Sequence, residues 1–471
     1  MTKITTPQEI VEYALAASRT DGCIVIVDES STANIRWANN TLTTNGVNTD
    51  RRLTVVATVG AATASSAGVV SRTGATDGEA IDQLVAQAEA AARSAMPAED
   101  AGPLIGGSDP SAAWDGPVTR TGADVFGAVA PALGEAFGRA RADGRLIFGY
   151  AEHDLTTTFL GTSAGLRARH DQPSGNLQLN AKSADGGRSV WAGVATEDFT
   201  DVDVAAIDGE LCLRLEWAER SVTLPAGRYE TILPPTAVAD LMINLYWSSG
   251  AREAHDGRSA FSAAGGGTRI GETITEVPLS LRSDPAYPGL TCAPFVTARS
   301  SGGSQSVYDN GVQLAPTEWL RSGTIAALTQ TRQSASLTGG ALTPAIDNLI
   351  LEGHPPGQSG PAGQSLDDLI GTTERGLLLT CLWYIREVDP RTLLLTGLTR
   401  DGVYLVERGE VTGAVNNFRF NESPMGMLRR VQDVGASVRT LPREWSDYFT
   451  RASMPPLRVA DFNMSSVSQA H

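Results

Sequence analysis

The feature that most constrains this chain is a change of texture near Thr223. Up to that point apolar runs alternate between the 3.6-residue spacing of helices and the dense apolar segments of strands. After it, Gly/Ser-rich loops at 263–267, 299–305 and 355–365 separate short strand-like segments, and helical spacing becomes rare. The expectation is an α+β protein: an N-terminal α/β domain with helices and a mixed sheet over 1–220, then a β-rich domain over 221–471.

Local signals fix many elements of the first part. Thr6-Pro7-Gln8-Glu9 reads as a helix start, with Thr as N-cap, Pro at the first helical position and Glu three residues beyond the cap. Thr76-Asp77-Gly78-Glu79 repeats that logic ahead of an Ala-rich helix to about Ala95. Strands are expected at 23–27, 35–40 and 53–59, with a polar turn between the second and third. Residues 97–120 are rich in Gly, Pro and Asp and predict a long loop. A helix over about 123–142 follows. Segments at 146–151, 156–160, 177–180 and 189–194 suggest an antiparallel meander, and Thr200-Asp201-Val202-Asp203 opens a further helix to about Arg220.

In the second part, residues 224–233 read as a strand, and Pro234-Pro235 starts an apolar helix over 238–246. Strands are expected at 376–387, 392–397, 403–406 and 411–415. Glu407-Arg408-Gly409-Glu410 is a hairpin turn between the last two.

Charge narrows the function. Thirty-seven Lys and Arg face 53 Asp and Glu among 471 residues, a net charge of −16. Binding to nucleic acid depends on cations that neutralise phosphates, and anionic membrane surfaces attract basic segments, so neither partner is expected. The first ten residues carry no apolar signal core, and no run approaches the ~20 apolar residues of a membrane span. The expected location is the cytoplasm.

The residues that carry chemistry are sparse. Cys23, Cys212, Cys292 and Cys381 form no C-x-x-C pair, and three of them sit in apolar runs, as small buried hydrophobes do. The histidines are His153, His170, His255, His354 and His471. No two lie within five residues, so H-x-x-x-H and H-E-x-x-H are both absent. Gly265-Gly266-Gly267 has no Lys-Ser/Thr after it and makes no phosphate cradle. The most informative stretch runs from Leu241 through an apolar helix into Arg252-Glu253-Ala254-His255-Asp256-Gly257 and then Gly257-Arg258-Ser259-Ala260-Phe261-Ser262.

Several segments together resemble the TldD/PmbA ("modulator of gyrase") family. They are Arg36-Trp37-Ala38-Asn39-Asn40, the segment from Gly257 to Ser262, and Ser283-Asp284-Pro285-Ala286-Tyr287-Pro288-Gly289-Leu290 with Ala293-Pro294-Phe295. The hairpins from 376 to 415, followed by Asn416-Asn417-Phe418-Arg419-Phe420-Asn421-Glu422-Ser423-Pro424, complete the set. The resemblance covers most of the chain. It implies a metallopeptidase complex in which a TldD-type subunit carries H-E-x-x-x-H on a central helix and a cysteine near the C-terminus. TldE/PmbA-type subunits lack that motif and pair with TldD.

Laid on the motif, Arg252 stands where the first His belongs, Gly257 where the second does, and Thr399-Arg400 near the cysteine. Arg is always cationic and Gly has no side chain, so neither ligates zinc. The resemblance thus implies a TldE-like, non-catalytic subunit with no metal or cofactor of its own. Zinc is expected in a TldD-like partner, and the pair would act on unfolded or short peptides. Arg252, Glu253, His255, Asn416 and Asn417 are the candidate substrate-facing residues, with a plain turn as the competing reading of Asn416-Asn417. Two alternatives stay open. One is a hydrolase with atypical ligands drawn from His255, Glu253 and Cys292 or Cys381. The other is a protein-binding regulator of gyrase or of a toxin–antitoxin system.

Overall fold

The computed structural model describes residues 6–74, 77–107, 111, 113–353 and 363–468. Three sheets organise the chain, and its class is α+β as expected. The first uses only residues before 197. It comprises β1 (Gly22–Ala38), β2 (Thr41–Val59), β3 (Ser66–Thr73), β4 (Leu146–Thr162), β5 (Arg167–Lys182) and β6 (Ser189–Thr196). The order is β3-β2-β1-β4-β5-β6, and every pairing is antiparallel. The parallel pairs of this protein lie instead in the C-terminal half, so the mixed sheet expected before residue 220 is corrected.

The strands of this sheet are also far longer than expected. The polar run 28–34 does not interrupt β1, because its side chains find partners across the sheet and beyond it. Thr158 donates to Asp28 (2.8 Å), Ser30 and Thr156 share a hydrogen bond (2.9 Å), and Ser31 accepts from the Thr121 N–H (2.9 Å). The turn falls at Asn39 and Asn40, both with positive φ (51° and 60°), the conformation of a two-residue hairpin loop that suits Asn. Asn40 is pinned to the foot of β4. Its side chain donates to the Arg145 carbonyl (2.7 Å) and accepts from the Ile147 N–H (2.6 Å), and its own N–H reaches the Ile147 carbonyl (3.2 Å).

Helices pack against this sheet. α1 (Pro7–Ala17) starts at Thr6 with both capping-box bonds in place. α2 (Gly78–Ser94) is capped by Asp77; Thr76 lies outside the described residues. The helix expected over 123–142 is a 3-10 turn, Ala123–Phe126, followed by α3 (Val129–Ala142). α4 (Val204–Trp217) is capped by Asp203.

From Ser221 onward the chain builds the other two sheets. One joins Thr324–Ile325, Thr317–Arg321, Ser280–Ser283, Leu349–Glu352, Ala452–Met454 and Val438–Thr440 in that order. The other is ten-stranded, with Gly227–Leu233 between the C-terminal strand Leu457–Val467 and Arg375–Leu379. The single strand expected over 376–387 is two, Arg375–Leu379 and Leu382–Asp389. The chain breaks at Thr380, whose N–H bonds the Gly402 carbonyl (2.9 Å). The Arg408-Gly409 hairpin forms as expected, with φ of 53° and 80°.

α5 (Pro235–Trp247) opens on prolines and is apolar on nearly every face, so it is stable only when enclosed. Both C-terminal sheets enclose it. Its Leu241, Met242 and Leu245 share one core with Leu281 and Trp319 of one sheet and Leu377, Phe418 and Leu457 of the other. No helix among the described residues is long and apolar enough to cross a membrane.

Candidate functional site

α5 ends where the Ser248 N–H bonds the Asn244 carbonyl (3.1 Å), and Ser249 Oγ donates to Tyr246 O (2.6 Å). The chain is then clipped to Thr329 by two backbone bonds, Ala251 N–H to Thr329 O (3.0 Å) and Thr329 N–H to Ser249 O (2.9 Å). This clip starts a separate five-residue helix, α6 (Ala251–His255).

Three candidate residues sit on α6. Arg252 is half-buried, and its guanidinium reaches Asp256 (3.1 Å), Glu99 (3.2 Å) and Gln333 (3.4 Å). Arg258 also donates to Asp256 (2.9 Å). Arg258, then Arg252, hold the Asp256 carboxyl below the usual carboxylate range, and the same contacts with Asp256 and Glu99 raise Arg252. Glu253 turns the other way, into the space left by Gly250 and Gly303, where any Cβ would strike its carboxylate. Its Oε2 is buried without a hydrogen-bond partner among the described residues. His255 is exposed.

Asn416 and Asn417 lie elsewhere, at the joint between Glu410–Val415 and Phe418–Glu422. Asn416 Oδ1 accepts the Leu224 N–H (2.8 Å), and the Asn417 carbonyl accepts the Ser468 N–H (2.8 Å). These bonds tie strands together, as a turn does.

The ligand positions implied by the resemblance do not fit a metal. α5 is the central helix, and Arg252 lies beyond it, past a clip that interrupts the helix. The register placed on 252–257 is therefore not a position on α5. The apolar core of α5 offers only Asp240 as a carboxylate and no histidine. Thr399, near the implied cysteine, accepts the Phe418 N–H (2.8 Å), and Arg400 stands over the Trp383 ring (5.7 Å).

Among the described residues no three His, Cys, Asp or Glu side chains are grouped to hold a metal ion. Glu253 and His255 with Cys292 or Cys381 make no such group. Cys292 is buried, which pushes its thiol up to about 11; Cys381 is fully buried and is also pushed up, and Cys23 rises to about 12. Cys212 is only half-buried.

The remaining histidines are structural or marginal. His153 is 4% exposed, and both ring nitrogens are bonded, Nδ1 to Thr121 (2.7 Å) and Nε2 to the Glu197 carbonyl (2.7 Å). His354 and His471 lie outside the described residues. His170, on β5, lines a cleft of about 400 Å³ between the first sheet and the 293–347 loops, beside Thr156, Thr158, Gln172, Arg299 and Asp347. Burial lowers its pKa, against a hydrogen bond to Gln172 (3.0 Å) that raises it. Arg299 closes one wall through a bidentate pair with Asp28 (2.6 and 3.0 Å). This cleft was invisible in the sequence, since its walls are over a hundred residues apart. Gly161-Thr162-Ser163-Ala164-Gly165 does spell G-x-S-x-G, but it is the β4–β5 hairpin rather than a strand-to-helix turn. Its Ser163 Oγ accepts the Cys23 N–H (3.0 Å).

Residues 226–466 match the model of the PmbA/TldA metallopeptidase C-terminal domain. The chain belongs to the PmbA/TldD family. Three solved structures share its fold along nearly their whole length. TldE from Thermococcus kodakarensis has a TM-score of 0.76 at 15% identity, over 97% of this chain and 99% of that one. A candidate modulator of DNA gyrase from Thermotoga maritima has a TM-score of 0.77 at 16% identity, over 97% and 100%. A candidate gyrase modulator from Bacteroides thetaiotaomicron has a TM-score of 0.74 at 13% identity, over 98% and 98%. No curated protein sequence matches the chain.

Proposed function

We propose that this chain is the non-catalytic, TldE-like subunit of a two-chain zinc metallopeptidase of the cytoplasm. The observation that carries this reading is the makeup of the α5–α6 segment. The central helix presents apolar side chains, and the next helix presents Arg252 held by Asp256 and Glu99. A guanidinium committed to two carboxylates cannot become a metal ligand. Membership in a family described as metallopeptidases supports peptide hydrolysis by the complex, and the fold shared with a TldE supports this chain's place in it.

In this reading a TldD-like partner supplies zinc, which activates the attacking water. This chain contributes wall and access. The peptide would be unfolded or short, held through its backbone rather than its side chains. Arg252 and His255 are the side chains proposed to face it, with Glu253, expected beside them, turned inward toward Gly250 and Gly303.

The test is co-expression with a family member carrying H-E-x-x-x-H, followed by peptide cleavage with and without chelator. The pair should cleave and the chelator should stop it, while this chain alone should do neither. Chelator-sensitive cleavage by this chain alone would overturn the reading. The names of two structural relatives favour a second reading, a protein-binding modulator of gyrase; stoichiometric capture of gyrase without any zinc-bearing companion would favour it.

A further inference from the structure

β1 and β2 form a ribbon, and the outer half of β2 is left as an open edge of the first sheet. β3 pairs only with the inner half of β2, residues 52–59. Residues 41–50 of β2 pair with β1 on one side, and among the described residues no strand pairs with them on the other. Residues 41–49 are exposed without a break. At about 3.4 Å per residue the open edge is roughly 34 Å long.

Two further facts set this edge apart. Edge strands of lone proteins are blunted by Lys, Pro or inward charges, yet residues 39–49 contain no charged residue and no proline. The edge also carries apolar side chains on the wrong side. Ile35 and Trp37 of β1 face the α3 core and are nearly fully buried. Their neighbours across the ribbon share that face: Val47 is paired with Ala33, and Leu42 with Trp37. Yet Leu42 and Val47 remain 49% and 53% exposed, because no helix extends over them.

We infer that this edge is where a second chain of the same fold docks, adding its own hairpin strand to β2 so that one sheet runs through both subunits. A folded chain is favoured over a bare peptide because Leu42 and Val47 need a cover as well as a strand, and a hairpin backed by its own helix layer supplies both. Charge favours the same place. This chain carries a net charge of −16, and the uncharged strip is a place where a second backbone can meet it without charges in register. The inference takes the companion's identity from the subunit reading above; the open edge itself is independent of it.

The test compares four forms of the full chain co-expressed with the H-E-x-x-x-H family member: wild type, the double variant L42K/V47K, and the proline variants T44P and N45P. Adjacent residues of a strand point their N–H groups to opposite sides. One of the two prolines therefore removes an outward N–H and leaves the ribbon intact; the variant whose melting temperature is unchanged identifies it. That proline variant and L42K/V47K should each weaken association at least ~tenfold, and amide exchange over 41–50 should slow in the wild-type complex. A complex that forms equally well with both variants would overturn the docking inference while leaving the subunit reading standing. Failure of the wild type to bind the companion, with exchange over 41–50 unchanged, would overturn both. Protection of 41–50 by an extended peptide alone would assign the edge to substrate and overturn it too.

Discussion

The two halves of this molecule bury carboxylates on opposite terms. In the N-terminal half Asp208, 2% exposed on α4, receives Arg145 (2.9 Å) on one oxygen and Arg139 (2.9 Å) on the other. In the C-terminal half Asp240 is fully buried on α5. One of its oxygens accepts the Glu444 N–H (2.9 Å), and the other has no hydrogen-bond partner among the described residues. The neighbouring guanidinium, Arg443, stacks on Trp383 (3.8 Å) and Trp191 (5.0 Å) instead. A charge met by two cations can stay in the fold as a charge. A carboxyl met by a single backbone N–H is driven by desolvation well above its ordinary value.

The largest test of this contrast is Asp208→Ala. It strands the buried Arg145 and should cost about 3–5 kcal/mol in chemical denaturation; a cost under about 1 kcal/mol would show that the pair adds nothing. Next is His153→Phe, which keeps the ring and orphans Thr121 and the Glu197 carbonyl, with an expected loss of about 1–3 kcal/mol.

Asp240→Asn should change little at acid pH, under about 1 kcal/mol, because the amide there replaces a carboxyl that carries its proton in both states. Its signature lies in pH dependence. The folded chain keeps on Asp240 a proton that the unfolded chain releases near the ordinary carboxylate value. This group's contribution is therefore complete at acid pH. It falls by ~1.4 kcal/mol per pH unit as pH rises from that value toward the raised folded one. In unfolding titrations from the ordinary carboxylate value upward the variant should gain on wild type as pH rises, and parallel curves would refute the assignment. The smallest effect belongs to Arg252→Ala. Its pairs are solvent-screened, so the melting temperature should not move, while peptide turnover by the assembled complex should fall if Arg252 faces the substrate.

What the sequence disclosed follows the range of the interactions involved. The Thr6 capping box, the proline start of α5 and the Arg408-Gly409 turn depend on residues within four positions, and all were legible; the cap of α2 fell one residue later than expected, at Asp77. The long strands were not. A run such as Asp28-Glu29-Ser30-Ser31 looks like a turn until Thr156, Thr158 and Arg299 arrive from more than a hundred residues away. The site divides the same way. The lack of any histidine spacing suited to a metal was plain, whereas the clip to Thr329 that ends the central helix before Arg252 depends on a strand-free segment some eighty residues on. The cleft lined by His170 and Arg299 is built wholly from such distant contacts.

The three bonds that rivet Asn40 to Arg145 and Ile147 have a further consequence. A free ribbon tip would sample many shapes, and fixing its backbone costs about 1–2 kcal/mol for each residue ordered. Here that ordering is complete when the monomer folds. Any strand that arrives at residues 41–50 meets a stiff rail rather than a tether, so the ordering cost on this side of the ladder is not subtracted from its affinity.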